Sequence, residues 1–161
     1  MKQGDVVFLQ GKSFISKAVR FFDKGKFSHV AIAMSNTHIL EADFDTRVAI
    51  VPLDKNEFNI IEVIDLGLNK DERSKVVAMG SKMVGKKYDY MQIVWYMISK
   101  ILRLKGKNRF NNPNSYICSE LVFAVLEEAE ILDELCIKDG SRGADMTPNQ
   151  LYDFIKYISS K

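Results

Sequence analysis

Apolar positions follow a strand period in the first half of the chain and a helical period in the second. Asp5-Val-Val-Phe-Leu-Gln10, bounded by Gly4 and Gly11, is rich in strand formers and predicts a first short strand. Ser13 can cap a helix over Phe14 to Lys24, where Phe14, Ile15, Ala18, Val19 and Phe22 recur at helical spacing and Gly25 supplies a stop. His29 to Met34 and His38 to Ala42 predict a β-hairpin turning at Ser35 and Asn36, with further strands at Arg47 to Pro52 and Phe58 to Ile64. Asn69 with Glu72 then forms a capping pair for a helix whose apolar face runs through Val76, Val77, Met79, Met83 and Val84 to Gly85. Tyr90 to Leu104 and Ser115 to Leu135 predict two more helices around a basic, polar loop at Lys105 to Pro113, and Thr147-Pro148 is a cap-plus-N1 start for the last. Neither a linker nor an internal repeat interrupts this order, so one domain over 1–161 is expected.

Composition narrows the function classes. An apolar content of 47% with 27% charged residues is that of an ordinary globular chain, and 161 residues suffice for one core. The net charge of +2 provides no global attraction to nucleic acid, and the basic loop lacks an aromatic or helical reader, so no nucleic-acid partner is expected. The N-terminal stretch is interrupted by Gly4, Asp5 and Gly11 and does not read as a signal peptide. The longest apolar stretch, Met91 to Leu104, contains Gln92, Ser99, Lys100 and Arg103 and is shorter than the roughly 20 residues of a bilayer span, so the expected location is cytoplasmic. Two cysteines do not make a disulfide framework, and two histidines far from them do not make a zinc spacing; no metal and no cofactor are expected.

The residues able to carry chemistry are few. Cys118 lies in Asn114-Ser-Tyr-Ile-Cys-Ser-Glu-Leu-Val122, near a predicted helix start that would place its sulfur at the positive end of the helix dipole. Its plainer reading is a small buried hydrophobe, and Cys136, after Leu132 and Leu135, has that reading more strongly. His29 opens a strand on which Ala31 and Ala33 share its face and leave room above the ring. An acid is needed to orient such a ring, and Glu41 is the first candidate. If the hairpin pairs Met34 with His38 across a three-residue loop, Ala31 opposes Glu41 and Glu41 is a diagonal neighbour of His29 on one face; a two-residue loop puts it on the other face. Asp43 shares the parity of Glu41 and is the next candidate, whereas His38 is expected in the turn, facing away. The aromatic and methionine positions around Trp95, Tyr96 and Met97 read as core.

Taken in order, several segments resemble a known family, the circularly permuted NlpC-like papain-fold hydrolases of the YiiX-like group. They are Gly4-Asp-Val-Val-Phe8, Ser13 to Phe22, Phe27-Ser-His-Val-Ala-Ile32, Ile39-Leu-Glu-Ala42, Gly85-Lys-Lys-Tyr-Asp89, Tyr116-Ile-Cys-Ser-Glu-Leu-Val122 and Met146-Thr-Pro148. Histidine precedes cysteine here, the reverse of the unpermuted relatives. The resemblance implies an α+β papain-like fold, an antiparallel sheet packed against helices, and a Cys118-His29-Glu41 triad that cleaves an amide bond through an acyl-enzyme. The substrate implied is a peptide, cell-wall stem peptides included, or another small acyl-containing molecule. Tyr116 and Ser119 are candidate substrate-binding wall residues. No wall-binding module and no signature of an oligomeric state accompany the motifs.

Two other readings stay open. The lecithin retinol acyltransferase group also orders histidine before cysteine, which implies a lipid acyltransferase or hydrolase, although Ile117-Cys-Ser-Glu120 departs from its motif. A noncatalytic binding module on the same fold would keep the pocket and leave Cys118 unreactive. Lys100, Arg103, Lys105, Lys107 and Arg109 beside the apolar Ile93 to Leu104 stretch would suit a membrane surface, or simply a solvated helix end.

Overall fold

A computed structural model describes residues 1–42, 47–88, 115–116, 118–132 and 146–160. The elements run β1 (Val6–Gly11), α1 (Phe14–Asp23), β2 (His29–Ala33), β3 (His38–Ala42), β4 (Val48–Pro52), a 3-10 turn (Lys55–Glu57) and β5 (Phe58–Ile64). There follow α2 (Lys70–Met83), β6 (Lys87–Tyr88), β7 (Ser115–Tyr116), α3 (Cys118–Glu128) and α4 (Pro148–Ser159). Strands β1 to β5 form an antiparallel sheet in the order β4-β3-β2-β1-β5, and β6 pairs in parallel with β7. This is the α+β arrangement expected of a permuted papain-like fold.

Both faces of the sheet are covered near its centre, so β1 is almost continuously buried instead of alternating. Even-numbered positions such as Phe8, Val30, Ile32 and Leu40 belong to the main core with Val76 of α2, Leu121 and Val125 of α3, and Leu151 and Ile155 of α4. Odd-numbered positions, Val7, Leu9, Ala31, Ala33 and Ile39, form a second cluster with Met1, Val51, Leu53, Phe58 and Ile61 around it. Helix α2 approaches the sheet closely at Gly80, where a Cβ would stand 3.1 Å from the Leu40 side chain and 3.2 Å from the Met34 sulfur. A buried ion pair locks β1 to α2: Asp5 accepts from Arg73 Nη1 at 2.9 Å and from the Lys2 backbone N–H at 2.6 Å.

The caps read from the sequence are present. Asn69 and Glu72 form a reciprocal capping box at α2, and Thr147 with Gln150 forms another at α4, with Pro148 in the first turn. Two helix ends differ from expectation. At α1 it is Lys24, not Gly25, that turns left-handed, with φ of 53°. Gly25 is required for another reason, since a Cβ there would lie 2.0 Å from Asn149 Nδ2. The third helix, expected over Ser115 to Leu135, spans only Cys118–Glu128, with Ser115 and Tyr116 in strand β7. Glu130 adopts φ of 59° and closes the helix, as Ile131 N–H donates to Leu126 O and Glu130 N–H to Glu127 O. A glutamate in the position usually held by glycine hides this stop, and Lys75 meets its carboxylate at 2.9 Å. The predicted helix at Tyr90 to Leu104 and the basic loop lie outside the described residues, and among those described no helix is long and apolar enough to cross a membrane.

Candidate active site

The hairpin takes the three-residue loop. Met34 N–H donates to His38 O, and Ala33 and Ile32 pair with Ile39 and Leu40. The register therefore sets Ala31 across from Glu41 and makes Glu41 the diagonal neighbour of His29. His29 Nε2 lies 2.9 Å from Glu41 Oε2, with side-chain exposures of 17% and 14%. Such shielding from water strengthens a hydrogen bond that would be weak at the surface. His38 is exposed in the turn, its Nδ1 3.0 Å from Thr37 Oγ1.

Cys118 is the first residue of α3, which packs on β2 and β3, and its side chain is near enough to the His29 imidazole to favour the protonated ring. With Nε2 occupied by Glu41, Nδ1 is the nitrogen left for the sulfur. Burial disfavours a charge on His29, but the hydrogen bonds to Cys118 and Glu41 and the charges of both outweigh it, raising the imidazole from 6.5 to about 10. The ring therefore holds its proton through neutral pH, and Nε2–H donates to the Glu41 carboxylate. Cys118 is a free thiol and is 5% exposed, in contact with the main core. Sequence positions 29, 41 and 118 thus converge on one partly shielded cluster of a thiol, an imidazole and a carboxylate.

Other sequence-selected residues are placed differently. Ser119 is fully buried, and its hydroxyl donates to the Met146 carbonyl, tying α3 to the segment that leads into α4. Its side chain follows the core-facing side of a helix whose first turn is already covered. Tyr116 stands in β7, in register with Tyr88 of β6. Asp43 and Cys136 lie outside the described residues. Among the described residues no three or more His, Cys, Asp or Glu side chains gather as metal ligands would.

One positioning contact has no signal in the local sequence. Asn149, in the first turn of α4, grips the backbone just before His29: Phe27 N–H donates to Asn149 Oδ1 at 2.8 Å, and Asn149 Nδ2 donates to Phe27 O at 2.9 Å. The same Nδ2 reaches Asp23 Oδ2 at the end of α1. An asparagine after Thr-Pro reads as an ordinary helix-start residue, and its partner lies 122 positions away. Asn149→Ala leaves two backbone groups of Phe27 without partners, and the expected loss is about 2 kcal/mol of stability. Urea denaturation checks this, and alkylation of Cys118 is expected to slow in parallel because His29 is two residues from the released segment.

A family model described as permuted papain-like amidase enzyme, YaeF/YiiX, C92 family, matches residues 1–146. No curated protein sequence matches significantly. Among solved structures, the chain is similar to the metalloprotein yiiX from Escherichia coli O157:H7, at 22% identity and a TM-score of 0.61. The match covers 81% of this chain and 67% of that one, and at such identity the likeness is one of fold.

Proposed function

The chain belongs to the permuted papain-like amidases and is an enzyme of the cysteine amidase or peptidase type; from that premise we propose that Cys118, His29 and Glu41 are its catalytic triad. The observation that carries this reading is the His29 imidazole held at 2.9 Å from the Glu41 carboxylate with the Cys118 side chain beside it. A nucleophile and base within hydrogen-bond reach, with the base oriented by a third group, is the arrangement acyl transfer needs.

For attack, the thiol proton passes from Sγ to the imidazole, whose protonated form the Glu41 carboxylate favours. The sulfur attacks the carbonyl carbon of an amide, and the C=O π electrons move onto oxygen. The backbone N–H of Cys118, at the start of α3, is a donor for that oxyanion. As the tetrahedral intermediate collapses, the C–N bond breaks, His29 gives its proton to the leaving nitrogen, and a thioester on Cys118 remains. Water then attacks the thioester while His29 takes one of its protons, and the departing sulfur returns the site to its starting proton count. Glu41 keeps Nε2–H engaged throughout, which fixes the ring orientation. The substrate class that suits this chemistry is a peptide amide, cell-wall stem peptides among them.

The test is capture of the intermediate. Incubation with activated esters and amide substrates, quenched in acid and read by peptide mass spectrometry, is expected to place the acyl group on Cys118. An acyl group on another residue, or hydrolysis without any adduct on Cys118 in a variant slowed at deacylation, would remove the assignment.

A further inference from the structure

Helix α1 carries a surface that the hydrolytic site does not use. Phe14 is 85% exposed and Phe21 76% exposed, the most exposed large apolar side chains among the described residues. Seven positions apart, close to two helical turns, they lie on one stripe. Lys17 and Lys24, both exposed, lie on the adjacent stripe with the same spacing. Residues 12–26 hold five cations, Lys12, Lys17, Arg20, Lys24 and Lys26, against the single acid Asp23, so this segment is more basic than the whole chain at +2. Asp23 is turned to Asn149, which leaves the Phe–Lys face without a negative charge of its own. Lys2, Lys26 and Lys75 are held in ion pairs, whereas no ion pair among the described residues involves Lys17 or Lys24.

We propose that this face of α1 docks the protein on anionic lipid surfaces, Phe14 and Phe21 entering the headgroup boundary and Lys17 and Lys24 meeting lipid phosphates. Exposed rings need no complementary groove in such a layer, and flanking lysines gain from its negative potential. A second copy of the same face would set lysine against lysine, which opposes the other simple way of covering the rings. The inference does not depend on the catalytic assignment, because binding is read without turnover.

The test is co-sedimentation of the full chain with vesicles of phosphatidylcholine alone or with about 30% phosphatidylglycerol, at low salt and at about 0.5 M salt. Wild type is expected to pellet with the anionic vesicles at low salt only. Phe14→Ser with Phe21→Ser, and separately Lys17→Glu with Lys24→Glu, are each expected to weaken partition about tenfold or more, while Lys70→Glu on α2 leaves it unchanged. All four sites are exposed, and circular dichroism with thermal melting verifies that each variant is folded. Absence of binding by wild type at low salt overturns the proposal. So does binding that survives both double substitutions, which moves the contact to another basic segment, or binding that needs the lysines and not the phenylalanines, which makes the face a general anion surface. A wild-type dimer lost in the phenylalanine variant, without vesicle binding, assigns the face to a second copy and overturns it equally.

Discussion

Cys118→Ala is expected to lower amide hydrolysis by on the order of 10⁴-fold or more while leaving the protein folded. The argument for activity is chemical: without Sγ no thioester forms, and the imidazole and Glu41 have no covalent partner to serve. The argument for folding is steric. Cys118 is 5% exposed and touches the main core, but the change deletes a single heavy atom at the first residue of α3. Loss of one buried group of that size costs about 1 kcal/mol, which shifts a melting curve by a few degrees and leaves the native state dominant. The competing description, a thiol that merely fills space beneath β2, predicts the same small stability loss with turnover retained. Parallel melting and turnover measurements separate the two, and retained hydrolysis in a pure Cys118→Ala sample would end the nucleophile assignment. Cys118→Ser sharpens the comparison, since it keeps the shape and replaces the thiol with a hydroxyl that is far harder to ionise near neutral pH.

Much of the sheet was legible because its signals are local. The span Phe58 to Ile64 coincides with β5, and the capping boxes at Asn69 and Thr147 depend on side chains three positions apart. The placement of Glu41 beside His29 was decidable once the loop length was known, because a register change of one residue would have moved the carboxylate to the other face. The end of α3 was not legible, because Glu130 takes a left-handed conformation without the glycine that normally marks it. Nor was the role of Gly25, which makes room for Asn149 from the far end of the chain. The burial of Ser119 was not legible for a related reason: its hydroxyl meets a carbonyl 27 positions away. Sequence spacing specifies neighbours within an element, whereas these contacts arise only when distant elements pack.

His29→Ala is expected to slow alkylation of Cys118 by on the order of 100-fold near pH 6, and to slow it progressively less as the pH rises. The sign follows from the environment of the imidazole. Burial alone would favour the neutral ring, but hydrogen bonds and charges from Cys118 and Glu41 raise His29 to about 10, so below that pH the ring is a cation beside the sulfur. A cation there stabilises negative charge on sulfur during attack. An ordinary thiol, with a pKa of about 8.5, is almost entirely protonated near pH 6, where a neighbouring cation therefore matters most to the rate. Above roughly pH 9 the unassisted thiol ionises and the two rates approach each other; above about 10 the wild-type ring loses its proton and with it the remaining advantage. Glu41→Gln gives an intermediate result, because the amide preserves a hydrogen-bond partner for Nε2 while removing the charge that helps hold the ring protonated. Rates of iodoacetamide labelling, followed by mass spectrometry of the peptide carrying Cys118, trace all three profiles. Superimposable profiles for wild type and His29→Ala would show that the imidazole does nothing for the sulfur. Equal loss at every pH would instead mean that His29 maintains access to a thiol only 5% exposed, so the shape of the curve, more than its height, decides whether His29 is the base.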